Sequence, residues 1–307
     1  MLEKKVINTG GKSRTWLSII EPTEEQIQQY TVQFDLPKDI FTLHPFTEEV
    51  SRAETLSSNE LGNCVSLVLV SYQVEKDVSN SVEGALLPIS FLFSDELIIT
   101  VSSGNFERLK IQRMFEECEG EVAPFIISYL LYTYHNYLVA LNKQKRMIDE
   151  VNDVSKNSTE KENLILLRDI EKNLVYLEHT LDDQKQTTDH LLENEQIINQ
   201  ISKDVLNDVR ISCRRVEKLV HLYRGLVDST SGMVSALMDN TLNHLMKYLD
   251  SAALIISIPT LIFSLWGINT GGLLWKDSIL GSLGVVLLAV IVTVIGVILL
   301  RRKDYMG

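Results

Sequence analysis

The sequence predicts an α+β domain, built as an α/β sandwich, followed by a long stalk helix and two C-terminal transmembrane helices. Three observations carry this reading. Residues 251–268 and 278–300 are uncharged and mostly apolar, with only a short loop between them; a bilayer core takes about 20 such residues as a helix. Strand-like runs of Val, Leu and Ile are confined to residues 14–115, where they alternate with helical patterns. From residue 204 onward apolar residues recur at heptad spacing, and no proline interrupts the pattern before Pro259.

Trp16-Leu17-Ser18-Ile19-Ile20 reads as a short strand that Pro22 closes. Thr23 is placed to cap the next helix, with Glu24 and Glu25 in the first turn, where the helix dipole favours acids. Ile27, Tyr30 and Phe34 share one face of that helix, and Leu36-Pro37 stops it. Residues 64–74 form a Val- and Leu-rich strand. Residues 86–93 and 97–101, separated by Ser94-Asp95-Glu96, form a hairpin. Residues 105–115 are helical, with Phe106, Leu109 and Met114 apolar. The predicted sheet is mixed or antiparallel, and residues 1–120 are the expected α/β domain. The opening residues 1–14 are polar and lack the apolar stretch of a secretory signal.

From residue 122 strand signals stop, and residues 121–202 are expected to be helical. One helix covers 122–154, beginning with the apolar, Tyr-rich stretch 125–141. A break follows at Lys156-Asn157-Ser158, and Thr159 with Glu162 fits a capping box. A second helix, 163–200, carries Leu164, Leu167, Ile170, Leu174, Leu177 and Leu181 on one stripe. Its other faces hold Asp169, Glu171, Glu178, Asp182, Asp183, Asp189, Glu193 and Glu195, the pattern of a solvated surface. The stalk helix and first membrane helix together occupy 203–268. Val205, Ser212, Leu219, Leu226, Met233 and Asn240 form one heptad series; Val209, Val216, Tyr223, Thr230, Leu237 and His244 form the other. This coiled-coil-like seam offers a means of assembling several copies. A continuous helix over 204–266 is roughly 95 Å long at about 1.5 Å per residue. Gly225 and Gly232 each weaken it by about 1 kcal/mol and mark a close contact or a hinge.

The chain has 307 residues and a net charge of −12. Such acidity argues against nucleic acid, which demands clustered Lys and Arg, and is compatible with divalent cations. Cys64, Cys118 and Cys213 are isolated, so no zinc-ligand set appears and reduced thiols are expected. There is no Gly-rich phosphate loop and no Cys/His nucleophile set, and His179 and His190 read as surface residues. The sequence therefore predicts neither an enzyme nor an ATP-driven pump, and no bound cofactor.

Arg301-Arg302-Lys303 closes the second apolar run, so residues 301–307 form a basic cytoplasmic tail and 278–300 the second membrane helix. Two crossings return the chain to its starting side, which places the large N-terminal part in the cytoplasm and the loop 269–277 outside. Trp266 and Trp275 bracket that loop. Along the first membrane helix, Asn243, Asp250, Ser257 and Ser264 recur every seventh residue, with Met246, Ala253, Thr260 and Gly267 between them. Both series share one face, while Leu254, Ile255, Ile262 and Phe263 lie elsewhere. Polar groups facing lipid are costly, so the stripe faces protein or water. Small residues suit close helix packing; the same stripe suits an aqueous path. Asp250 favours the path, and Lys247, three residues earlier, is the partner that packing would give it. One lining helix per chain cannot enclose a pore, so the path requires a homo-oligomer. The second helix, with only Ser282 and Thr293 as polar breaks, reads as lipid-facing.

At Trp266-Gly267-Ile268-Asn269 the chain resembles the CorA family of divalent-cation transporters, whose signature is an aromatic residue followed by Gly-Met-Asn. Similar stretches are Trp16 with Glu21-Pro22-Thr23-Glu24-Glu25, Leu87-Pro88-Ile89 with the hairpin strand 97–101, and Asn243-His244-Leu245-Met246-Lys247-Tyr248-Leu249. The resemblance covers the whole chain. It implies a homopentamer in the cell membrane, with a cytoplasmic funnel and a central pore, carrying Mg²⁺ or also Co²⁺ and Ni²⁺. It implies that Gly267, Ile268 and Asn269 form the selectivity motif, with Asn269 binding the hydrated ion. It implies that Met246 and Leu249 form a hydrophobic constriction, Asn243 a polar ring, and Asp250, Ala253, Ser257, Thr260 and Ser264 the lining. The cation is then both substrate and regulator, bound at a cytoplasmic site whose residues the sequence does not single out. Ile268 departs from the family's Met. With Gly271-Gly272 it is similar to the zinc-transporting ZntB-like branch, so a Zn²⁺ transporter is the alternative, beside a non-conducting membrane-anchored sensor or scaffold.

Overall fold

A computed structural model describes residues 2–9, 12–77, 81–103, 105–155, 161–194, 199–268 and 278–302. The chain divides into two compact units, Met1–Ser231 and Gly232–Gly307.

The first unit is built on a six-stranded sheet of order β1-β2-β6-β5-β4-β3. Its strands are β1 (Leu2–Thr9), β2 (Lys12–Ile20), β3 (Arg52–Ser58), β4 (Gly62–Tyr72), β5 (Leu86–Phe93) and β6 (Leu97–Ser102). Only β2 and β6 run parallel; every other pair is antiparallel, so the sheet is mixed as expected. The 86–93/97–101 hairpin forms as predicted, with Phe93 opposite Ile98. Sequence reading overlooked β1 and β3, the two edges of the sheet. Lys4, Lys5 and Val6 of β1 and Glu54 and Thr55 of β3 are exposed. Edge strands are half-solvated and lack the apolar run that betrays a central strand.

Alternation along the strands sends side chains to two faces. Leu17, Ile19, Leu92, Ile99 and Val101 pack with Ile27 and Tyr30 of α1 (Glu24–Phe34) in one buried cluster. The predicted Thr23 cap is present as a full capping box with Gln26, and Asp35 ends the helix in the left-handed region at φ 49°. On the opposite face lie α2 (Asn105–Glu117), α3 (Val122–Ser155) and α4 (Lys161–Leu191). There Phe91 stacks edge-on against Phe125 and Tyr129 of α3, with ring centres 5.6 and 4.9 Å apart. The Tyr137 hydroxyl crosses to the sheet and donates to the Val70 carbonyl at 2.9 Å. Below the end of β4 the buried Tyr72 phenol donates to Asp77, which also pairs with Lys143 of α3 at 2.6 Å.

Helix α4 stops at Leu191, short of the predicted 200. The amides of Leu192, Glu193 and Asn194 reach back to Thr188, His190 and Leu191 at 2.9, 3.3 and 3.2 Å, so its end tightens and unwinds there. The predicted break at 156–158, the Thr159 cap and Glu195 lie outside the described residues or among unspecified side chains. The leucine stripe of α4 is buried from Leu167 on, through Ile170, Leu174, Leu177 and Leu181, whereas Leu164 at its start is half-buried. Leu177→Ala should therefore lower the stability of the first unit by about 3 kcal/mol through the cavity it leaves; chemical denaturation followed by tryptophan fluorescence measures it.

Helix α5 runs from Lys203 to Gly267 without interruption, as one 65-residue element. Of the two heptad series, Val209, Val216, Tyr223 and Thr230 are buried within the first unit. Thr230 donates to Asn152 of α3 at 3.0 Å; Glu178 of α4 pairs with Arg224 and His221, and Lys185 with Glu217. Up to residue 230 the chain's own α3 and α4 thus cover one of the two series, while Val205, Ser212, Leu219 and Leu226 of the other stay half-buried. Gly225 and Gly232 have open space where a Cβ would stand, so within the chain they mark no close contact.

Candidate functional site

The second unit contributes the last part of α5 and helix α6 (Ile279–Arg302). Both helices are long and apolar enough to cross a membrane, and little of either apolar window is buried inside the chain. On α5 the less exposed positions are Ser251, which is fully buried, and Ala252, Ile255, Ile258, Pro259, Ile262 and Trp266. Their spacing of three and four makes one face. Its counterpart on α6 is the buried set Gly281, Val285 and Ala289, continued by the half-buried Thr293, Gly296 and Leu300 at nearly the same interval. Small residues every fourth position let two helices approach closely. At Gly296 the approach is such that a Cβ would stand 2.8 Å from Ile258 Cδ1. The expectation that the second helix faces lipid is thus corrected for one side of it; the rest, including Ile279, Leu280 and Leu283, is exposed.

The stripe singled out from the sequence is a different face. Asn243, Met246, Leu249, Asp250, Ala253, Ser257, Thr260 and Ser264 are all exposed. Ala253, Ser257, Thr260 and Ser264, with Ile256 and Leu261, line an open groove along the helix. A second groove continues it past Asp250, Ser251, Ala253 and Leu254 to Leu300. Packing between this chain's two membrane helices therefore does not account for the stripe. Ser257 donates its hydroxyl proton to the Leu254 carbonyl at 2.9 Å, and Thr260 to that of Ile256 at 2.7 Å. Both protons are committed to the helix backbone, so the hydroxyl oxygens keep only lone pairs to offer. The pairing of Asp250 with Lys247 that packing would give it does not form: no ion pair joins them among the described residues.

Earlier along α5, residues 241–250 are exposed all round, with Leu242, Leu245, Met246, Tyr248 and Leu249 each more than half uncovered. At the other end, Gly267 closes α5 and Ile268 follows, its amide 3.4 Å from the Leu265 carbonyl. Asn269, Gly271, Gly272, Trp275 and the rest of 269–277 lie outside the described residues. Among the described residues no three Asp, Glu, His or Cys side chains converge as a metal site. The acidic face of α4 is instead partly engaged: Glu178 pairs with Arg224 and lies 3.2 Å from His221 Nδ1. Burial raises the Asp183 carboxyl above its usual range against the smaller opposing effect of His179, 3.9 Å away. Sequence reasoning missed the Ser251–Ile258–Pro259 face and its partner at Gly296. The signal was present as Gly281, Val285, Ala289 and Thr293 at steps of four.

A family model described as CorA-like Mg2+ transporter protein matches residues 11–302. Among solved structures, the complete structure of the CorA magnesium transporter from Methanocaldococcus jannaschii matches with a TM-score of 0.76 at 18% identity, covering 97% of this chain and 93% of that one. The full-length CmaX protein matches with a TM-score of 0.66 at 14% identity, covering 94% and 89%. The ZntB cytoplasmic domain from Vibrio parahaemolyticus RIMD 2210633 matches with a TM-score of 0.59 at 12% identity, covering 78% and 98%. At these identities the likeness speaks for the fold. No curated protein matches the sequence.

Proposed function

Since the chain belongs to the CorA-like Mg2+ transporter family, a family of membrane transporters, we propose that it carries Mg²⁺ across the cell membrane through the axis of a homopentamer, with both termini in the cytoplasm. The observation that carries the reading is the open stripe on α5. It holds Asp250 and the hydroxyls of Ser257 and Thr260, whose protons are turned back onto the helix. A surface of lone pairs and one carboxylate suits a cation or its hydration shell and repels anions. Mg²⁺ gives up its water reluctantly, so weak acceptors along the wall let it pass hydrated, and conduction depends on such weak holding.

In this reading Asn269, at the outer mouth, meets the hydrated ion with neutral amide oxygens. Met246 and Leu249 form an apolar constriction that closes by dewetting, and Asn243 a polar ring beside it. The bare segment 241–250 supports this, because none of the described residues covers it. The cation acts also as regulator. With no three-ligand cluster among the described residues of one chain, its cytoplasmic site is completed between copies.

A second reading keeps the path and changes the cargo to Zn²⁺. The observation favouring it is Ile268 where the family signature has Met, followed by Gly271-Gly272. The deciding experiment is uptake into proteoliposomes with Mg²⁺, Co²⁺, Ni²⁺ or Zn²⁺ outside, for wild type and Ile268→Met. Mg²⁺ uptake by wild type above protein-free vesicles is expected. Background flux for every cation would leave a non-conducting sensor or scaffold instead, and uptake of Zn²⁺ alone would transfer the assignment to zinc.

A further inference from the structure

Helix α5 has one weakened rung inside its membrane segment. Pro259 has no N–H, so the Ile255 carbonyl receives no helical bond from that position. The residue just before it, Ile258, meets α6 where that helix has no side chain: a Cβ on Gly296 would stand 2.8 Å from Ile258 Cδ1, inside normal contact. Other glycines differ. Gly284 on α6 and Gly267 on α5 have open space in the same test. The tip of the Ile258 side chain therefore occupies the space that Gly296 leaves, one residue from the rung that Pro259 removes.

Ile258 also sits between Ser257 and Thr260 of the open stripe. Neighbouring residues on an α-helix are about 100° apart around the axis, so displacing Ile258 from α6 turns those hydroxyls with it. Beyond Pro259 the same helix carries Gly267 and Ile268 at its outer end. Resting on the transport reading above, we propose that the seating of Ile258 in the Gly296 notch, next to Pro259, is the pivot that sets the angle of the outer part of α5 for ion passage. Gly296 and Ile258 are positioning residues; neither touches the ion.

The test is a pair of substitutions in the full chain reconstituted in liposomes. Gly296→Ala adds one methyl where the Ile258 tip sits, so that tip must turn aside, a small shift that, with alanine's higher helix propensity, is expected to leave folding intact. Its flux is expected to fall about tenfold, with unchanged oligomer size and melting temperature and a shifted Mg²⁺-to-Co²⁺ ratio. Adding Ile258→Val, which removes Cδ1 and so the clash, restores flux to within about threefold of wild type. Equal flux for wild type and Gly296→Ala overturns the pivot. So does a loss that Ile258→Val fails to repair, or one that merely tracks lost assembly. Wild type measured against protein-free vesicles separates the two ideas: background-level flux for wild type overturns the transport reading itself, whatever the Gly296 pair does.

Discussion

Asn269→Ala is expected to reduce divalent-cation flux at least about a hundredfold while leaving the assembled protein intact. A single net hydrogen bond to an amide is worth about 1 kcal/mol, and a ring of copies loses it once per copy. On the proposed function the losses fall where the ion enters, ahead of the α5 stripe. Asn269→Asp should fail differently. A ring of carboxylates holds a divalent ion too firmly, so binding tightens while passage slows. A Mg²⁺-sensitive dye inside proteoliposomes reads both variants, and size-exclusion chromatography checks that they assemble. Undiminished flux for Asn269→Ala would mean that the outer amides do not govern entry.

The second large effect concerns the wall. Ser257→Cys, treated with a positively charged thiol reagent, is expected to lose nearly all flux, whereas Phe263→Cys under the same treatment keeps it. The reagent needs a thiolate, and a thiol ionises in water but not against acyl chains. Ser257 lies in the open groove with Ala253, Thr260 and Ser264; Phe263 lies on another side of the helix. Once attached, a fixed positive charge about 6 Å from a divalent ion repels it by roughly 5 kcal/mol at an effective dielectric of about 20. Two of the native cysteines, Cys64 and Cys213, are buried, and the third, Cys118, is partly covered. Treated wild type supplies the baseline. Reaction at Phe263→Cys with none at Ser257→Cys would turn the stripe away from water and remove the path.

Much of the architecture was legible because its signals are local or periodic. The Thr23 cap, the 86–93/97–101 hairpin, the leucines of α4 and the uninterrupted run of α5 each announce themselves within a few turns. What escaped reading depends on surroundings. β1 and β3 are edge strands, and their polarity follows from having one neighbour each. The heptads at Val209, Val216, Tyr223 and Thr230 name a buried face but not what buries it, since an intramolecular helix pair and a second copy satisfy the same spacing. At the candidate site the small residues are divided between the exposed stripe of α5 and the α6 face of Gly281, Ala289, Thr293 and Gly296. Composition alone does not say which of them meet a second helix; the Ile258–Gly296 contact does. The role given to Asn269 rests on the signature and the family, as it lies outside the described residues.

The uncovered band of Leu242, Leu245, Met246, Tyr248 and Leu249 bears on the life of a newly made copy. Contiguous apolar surface of this kind in water invites aggregation. If copies assemble as proposed, that band is what a lone copy leaves bare, and a pulse-chase measurement is expected to show unassembled chains disappearing faster than assembled ones.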